Sequence, residues 1–469
     1  MWVRSFLVVV ILSIWALSAE KLHRARKQPA PLSPVKDPFY LPKPDWQDAK
    51  PGDILATREI EAGFTDAQKI NLQGAYQILY RTSGTDKENP SFSVTTVLVP
   101  HNPRTNKLVM ILPYEDSNSP ACAPSFKIQL GAPVELNPIQ SVEELMWTSV
   151  LNDGWIATIP DHEGPLSAFA SGFVEGHTTL DAARATLAFD KLKMDPKSPI
   201  VGMGYSGGAI AGGWAASLKD SYAPELNVVG WAIGGTPSNL SSTFYGLDGG
   251  LFAGFATAGI AGVVDTYPEV NDYVGSVITP QGNSALQYTR EHCMGDIVTN
   301  LQGVNISQPG FIKNGREFLK DPQIQNVLET LAMGSNKDLT PKVPLYMYHA
   351  VHDEVIPFDM ANHTANLWCQ NGANIHFQQY TGLEMGHVST EALNTPLVLK
   401  FIRDRMNDKS FPSGCHWSAA DNPLWQPDIL GARLVEVFNS ILNLMGAKVG
   451  QGDAVIKEMI GNGTFAAGK

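Results

Sequence analysis

From about residue 90 the chain alternates short apolar runs with stretches of helical periodicity. Residues 91–100 and 107–112, rich in Val, Ile and Thr, read as strands, and 155–159, 200–204 and 228–233 follow in the same style. Helical stretches at 179–193 and 208–219 lie between them. Strand and helix in alternation predict an α/β fold with a mostly parallel sheet covered on both faces. The alternation stops at 236–342, where a glycine-rich apolar stretch, 249–264, precedes helical patterns at 284–299 and 311–331. Strands resume at 344–349 and 375–380, and a helical run covers 390–406. The pattern therefore predicts an α/β core, 37–235 and 343–430, split by a helical cap or lid insertion at 236–342. A C-terminal helix and flap follow at 431–469, with the helical pattern at 432–445. The 249–264 stretch is too short to span a bilayer. It fits either a mobile lid or a buried packing segment.

Composition narrows the class. The 469 residues leave room for about three domains or one large core with insertions. With 43% hydrophobic and 17% charged residues, a globular protein is expected. Lys plus Arg number 34 against 46 Asp plus Glu, a net charge of −12. That balance argues against nucleic acid and against charge-driven docking on anionic lipid, while leaving neutral oil surfaces open.

The N-terminus points to export. Arg4 precedes an apolar run from Phe6 to Leu17, and the small residues Ser18 and Ala19 follow, which is the order of a cleavable signal peptide over 1–19. A basic and proline-containing leader or pro-segment occupies 20–36, with a candidate dibasic cut at Arg26-Lys27. An apolar run of about 12 residues is too short for a stable membrane anchor. Four cysteines, Cys122, Cys293, Cys369 and Cys415, form an even set in an exported chain and predict two disulfides, with three pairings open. Glycosylation sequons stand at Asn239, Asn305, Asn362 and Asn462.

The sharpest chemical signal is Gly204-Tyr205-Ser206-Gly207-Gly208. A bare G-x-S-x-G arises readily by chance, but this one sits where the strand at 200–204 gives way to a helix, the setting a nucleophile elbow requires. A serine hydroxyl needs a base to take its proton and an acid to orient that base. In strand-turn-helix hydrolases the order is Ser, acid, His. Asp353 follows the strand at 344–349, and His387 follows the strand at 375–380 beside Gly386. Rivals are His352, His363 and His376 for the base and Glu354 or Asp359 for the acid. Acyl transfer also needs two donors for the developing oxyanion: the residue after the nucleophile, Gly207, and Asp116, in the loop after the strand at 107–112. His349-x-x-His352-Asp353 and Asp161-His162-Glu163 match no justified ligand spacing, so neither a metal nor a cofactor is expected.

These residues resemble the fungal secretory lipases of the lipase A type. The similar pieces are Tyr114-Glu115-Asp116-Ser117, Cys122-Ala123-Pro124-Ser125, Pro160-Asp161-His162-Glu163-Gly164-Pro165, Leu180-Asp181-Ala182-Ala183-Arg184-Ala185, the elbow, and Gly386-His387. The likeness runs over nearly all of the chain after about Asp37. It implies an α/β-hydrolase core with a helical cap over the acyl site and a C-terminal flap. It implies Ser206, Asp353 and His387 as the triad, Asp116 and Gly207 as the oxyanion pair, and disulfides Cys122 to Cys293 and Cys369 to Cys415. The expected partner is an ester or triacylglycerol substrate at an oil–water interface, with no nucleic acid and no protein partner implied. Two alternatives remain open: a short-chain carboxylesterase or acyltransferase on the same fold, separable by a chain-length series, and a catalytically dead binding module, separable by labelling of Ser206.

Overall fold

The computed structural model describes residues 30–421 apart from 65–68, 134–137 and 384. The signal peptide, the Arg26-Lys27 site, the helical pattern at 432–445, the flap and Asn462 lie outside the described residues. One sheet of ten strands runs through the described chain: β1 (Ile54–Glu59), β2 (Gly74–Ser83), β3 (Pro90–Val99), β4 (Arg104–Leu112), β5 (Trp155–Pro160), β6 (Ile200–Tyr205), β7 (Val228–Gly234), β8 (Leu345–Ala350), β9 (Ile375–Tyr380) and β10 (Cys415–Ala420). Their order in space is β1-β2-β3-β5-β4-β6-β7-β8-β9-β10. The first three strands and β5 pair antiparallel, and every pair from β5 through β10 is parallel.

The helices alternate with the strands in the core. They are α1 (Pro124–Lys127), α2 (Pro138–Asn152), α3 (Gly172–Ala188) and α4 (Gly207–Tyr222) before the insertion. The insertion carries α5 (Leu240–Leu247), α6 (Ala253–Thr266), α7 (Pro268–Val277), α8 (Pro280–Glu291), α9 (Met294–Asn300) and α10 (Pro322–Thr330). After it come α11 (Phe358–Gln370) and α12 (His387–Met406).

Side-chain alternation on the central strands explains the layering. On β4, Leu108, Met110 and Leu112 face a core shared with α3, α4 and α11, where Leu180, Trp214 and Trp368 are buried. Val109 and Ile111 face the opposite core, shared with α2 and α12 through Trp147, Val398 and Phe401. Period-two geometry thus buries both faces of one strand, which is why the central strands read as continuous apolar runs. Full burial of each large side chain contributes about 1.5–3 kcal/mol.

Several elements differ from the sequence pattern for identifiable reasons. Strand β2 carries buried polar residues where a strand pattern expects apolar ones, and the half-buried Arg58 of β1 partners one of them. Arg58 Nε donates to Gln77 Oε1 at 2.7 Å, and Gln77 is fully buried. Helix α3 starts at Gly172, not 179, because Glu175 and His177 are buried in its first turns. The single helix expected at 284–299 is two, α8 and α9, separated where Cys293 turns extended to reach Cys122. Between 311 and 331 there is a 3₁₀ turn, Gly315–Lys320, and then α10, with Pro322 in its first turn. The patterning anticipates neither α2 and α11 nor β10.

The insertion is stitched to the core. Cys122 pairs with Cys293, and Cys369 with Cys415. Ser117 Oγ donates to His292 O at 2.8 Å, and Asn118 N to Thr289 O at 3.1 Å, so the loop after β4 is tied to the junction of α8 and α9. On a chain-entropy view, cross-links closing loops of this size stabilise by about 4 to 5 kcal/mol each. Helix α6, the 249–264 apolar stretch of the sequence, packs as a wall. Nine of its residues are buried, and a Cβ on Gly262 would lie 2.0 Å from Phe169 O. The arrangement found for it is that of a packing segment.

Candidate active site

Ser206 lies between β6 and α4 with φ 51° and ψ −120°, a left-sided conformation that a non-glycine residue holds only where its surroundings impose it. The tightness of the turn decides its neighbours. A Cβ on Gly204 would sit 2.3 Å from Gly208 O, so a side chain there would force strand and helix apart. Ser206 N donates to Gly234 O of β7 at 3.0 Å, anchoring the turn to the sheet edge. The side chain is thereby raised above the carboxyl ends of the central strands.

His387 and Asp353 meet it there. His387 Nε2 lies 2.8 Å from Ser206 Oγ, and His387 Nδ1 lies 2.7 Å from Asp353 Oδ2. The histidine is the first residue of α12, a helix that begins three residues earlier than the pattern indicates. Glu354 Oε2 accepts its backbone N–H at 3.2 Å, capping the helix start. Tyr205 donates its hydroxyl to His387 O at 2.6 Å, with ring centroids 4.9 Å apart, so the imidazole is braced from one side.

Asp353 has no exposed side-chain surface. Burial alone pushes its carboxyl up, but His387 and His349 outweigh that and hold it well below the usual carboxylate range. The donors are visible: Val355 N at 2.9 Å and Ile356 N at 2.8 Å on Oδ1 and His387 on Oδ2, with His349 Nε2, which donates to Ile356 O at 3.1 Å, lying 3.3 Å from Oδ2. His349, which sequence reasoning considered only in a metal motif, is thus a second support of the acid; its place at the end of β8 was the available signal. The other rivals lie elsewhere. His352, Asp359 and His363 are exposed, and His376 contacts Ser418 Oγ at 2.8 Å.

Asp116 is held differently. It adopts φ 49°, and its backbone N–H, the expected oxyanion donor, already donates to Glu163 Oε1 at 3.1 Å. Its Oδ1 is buried with no partner among the described residues and would lie 1.8 Å from a Cβ placed on Gly207. Burial pushes this carboxyl up to about 7, against the opposing pull of His162 and His387. Around it Glu115, Glu163 and Glu175 are all buried, and burial raises each of them. With its amide engaged by Glu163, the Asp116 carboxyl, a donor in its protonated form, is the group left beside Gly207.

Two cavities meet at Ser206. One, of about 880 Å³, reaches from Ser206, Gly207 and Asp116 into the insertion, where Phe244, Ile260, Val263, Phe318 and Ile324 line it. The other, of about 490 Å³, lies on the imidazole side and includes His387 and Glu391. Of the sequons, Asn239 caps α5 by accepting Ser242 N–H at 2.9 Å, Asn305 accepts from Ser307 Oγ at 3.0 Å, and Asn362 accepts from Trp417 Nε1 at 3.1 Å.

Comparison with known proteins agrees with this geometry. The model of the family described as secretory lipase matches residues 128–414. A secreted triacylglycerol lipase of Malassezia globosa is 69% identical over 442 residues, 94% of this chain and 93% of that protein. The chain belongs to the secretory lipase family. A second member, a secreted triacylglycerol lipase of Malassezia restricta, is 44% identical, with 97% and 96% of the two chains covered. Among solved structures, lipase A of Candida antarctica in its closed state superposes with a TM-score of 0.79 at 28% identity, covering 90% of this chain and 98% of that one. The family fold is the α/β-hydrolase fold: a mostly parallel sheet with helices on both faces and the elbow at its carboxyl edge. Among the described residues no helix is long and apolar enough to cross a membrane.

Proposed function

We propose that the chain is a secreted lipase that hydrolyses triacylglycerols and other carboxylic esters at an oil–water interface through Ser206, His387 and Asp353. One observation carries the reading: an unbroken hydrogen-bonded line from Asp353 through His387 to Ser206 ends at the mouth of an apolar cavity of acyl-chain capacity. The secreted triacylglycerol lipases among its relatives and the signal-like N-terminus support the same conclusion.

Ser206 Oγ attacks the ester carbonyl while His387 Nε2 takes its proton. Asp353 keeps the tautomer with hydrogen on Nδ1 and stabilises the imidazolium that forms. The oxyanion meets the Gly207 N–H, which as the first amide of α4 has no intrahelical acceptor, and the neutral carboxyl of Asp116. His387 then returns the proton to the leaving alcohol, and water repeats the sequence on the acyl-enzyme. The segment 236–342 acts as a cap whose apolar lining holds the acyl chain, with α6 as a fixed wall. Residues 37–235 and 343–430 supply the chemistry.

Oleate release from a triolein emulsion by the full chain and by Ser206→Ala tests this. The wild type is expected to turn over, and the variant to lose about 10⁴-fold or more while remaining folded. Equal rates would remove Ser206 from the mechanism.

A further inference from the structure

The smaller cavity has a composition that the mechanism does not yet use. Its walls are largely apolar, from Phe252, Met294, Val298 and Val355. Tyr114 and Glu391 also line it, each with a buried oxygen lacking a partner among the described residues: the Tyr114 hydroxyl and Glu391 Oε1. Glu391 is 1% exposed, so no solvent compensates that atom. Buried polar atoms in native proteins are nearly always hydrogen-bonded, and two orphans on one cavity wall call for a ligand with hydroxyl groups.

Position identifies which part of a substrate that is. His387 Nε2 must hand its proton to the leaving oxygen, so the alcohol lies on the imidazole side of Ser206. His387 and Glu391 are four residues apart on α12 and therefore share a helix face. Burial pushes the Glu391 carboxyl up to about 8, so near neutral pH it is an uncharged group able both to donate and to accept. A phenol and a neutral carboxyl complement the hydroxyls of a polyol, whereas a simple alkyl alcohol leaves both unpaired.

We propose that the imidazole-side cavity is the alcohol subsite, and that the Tyr114 hydroxyl and the Glu391 carboxyl bind free hydroxyls of the leaving alcohol, which favours partial glycerides over simple alkyl esters of the same fatty acid. This rests on the hydrolase reading above and extends it to the other half of the ester. A triacylglycerol presents no free hydroxyl, so the preference acts on the mono- and diacylglycerols that its first hydrolysis supplies.

The test compares kcat/KM of the full chain for glyceryl monooctanoate and for ethyl octanoate, both below their solubility limits. The wild type is expected to favour the glyceryl ester, and Tyr114→Phe to reduce that ratio about 5-fold, the effect of one neutral hydrogen bond. Glu391→Gln, which keeps a donor and an acceptor, is expected to retain most of the ratio. Equal losses on both esters in Tyr114→Phe would mean a structural role and overturn the inference. A wild-type measurement, independent of how the variant folds, stands beside it. The octanoyl-enzyme is offered glycerol and 1-propanol at equal concentration, and glyceryl octanoate is expected to exceed propyl octanoate several-fold; parity overturns the inference. Turnover of both esters with a wild-type ratio near one overturns this inference alone. Absence of any ester turnover overturns the function reading and this inference with it.

Discussion

Two buried aspartates flank the same serine and histidine, and their surroundings favour the ionised form of one and the neutral form of the other. Asp353 sits among donors, with two backbone amides on one oxygen, the His387 imidazole on the other and His349 close by, and is held ionised. Asp116 is equally out of reach of water but has an orphaned Oδ1 and other buried carboxyls for neighbours, and is held neutral up to about 7. Burial is common to both, so the difference lies in the donors. An ionised carboxylate is what the orienting role at the imidazole requires, and a protonated one is what an oxyanion donor requires. In the proposed mechanism one residue type thus serves both ends of the reaction.

The comparison breaks most strongly at Asp353. Asp353→Asn presents an amide where His387 Nδ1–H expects an acceptor, which favours the wrong tautomer; kcat on a soluble ester is expected to fall about 10⁴-fold with the fold intact. At Asp116 the effect is smaller. Asp116→Ala is expected to lose about 10² to 10³-fold in kcat, the scale of one oxyanion donor. The wild type is expected to lose kcat as pH rises through about 7, and Asp116→Asn, whose amide donates at any pH, to keep much of the activity and lack that decline. A decline that persists unchanged in Asp116→Asn would assign the donor elsewhere.

A still smaller effect concerns stability. Glu115 and Glu391 are pushed up to about 8, and Asp116 and Asp161 to about 7, chiefly by burial. In the unfolded chain such groups release their protons near pH 4, so above that the folded form binds more protons and stability falls as pH rises. Each retained proton weakens the fold by about 1.4 kcal/mol per pH unit across the window from about pH 4 to about 7 or 8. The melting temperature is therefore expected to be roughly 5 °C or more lower at pH 8 than at pH 5.5. Asp353 works in the other direction: its stabilisation is complete above the ordinary aspartate range and is lost as pH falls below it. A melting temperature that rises from pH 5.5 to pH 8 would contradict the neutral state of the acid cluster.

Legibility in the sequence followed how far each feature depends on local pattern. Strands β6, β7, β8 and the second half of β4 were readable because both faces are buried and the runs are largely apolar, and β9 because Ile375, Phe377 and Tyr380 are its buried positions between polar ones. The Ser206, Asp353, His387 order was readable because a strand end precedes each position and glycines flank Ser206 and His387, and the structure brings the three side chains into hydrogen-bond contact. Strand β2 was not readable, since Gln77 is buried through Arg58 and Ser125, partners distant in sequence, and Arg81 is buried beside Ser83. The start of α3 was hidden for the same reason: Glu175 faces His162 at 3.5 Å, a contact that no local pattern reveals. Asp116 was placed correctly in the loop, but the engagement of its amide by Glu163, 47 residues away, decides which of its atoms is available. The acyl cavity was invisible because its lining gathers from five segments of the insertion.

The central claim is that Ser206 carries the acyl group. The most direct measurement is peptide mapping of the full chain after reaction with a fluorophosphonate. The account predicts one adduct per molecule, on Ser206, with loss of triolein hydrolysis in proportion to labelling. A folded protein that hydrolyses triolein while Ser206 remains unmodified, or that carries the adduct on another residue, would contradict it.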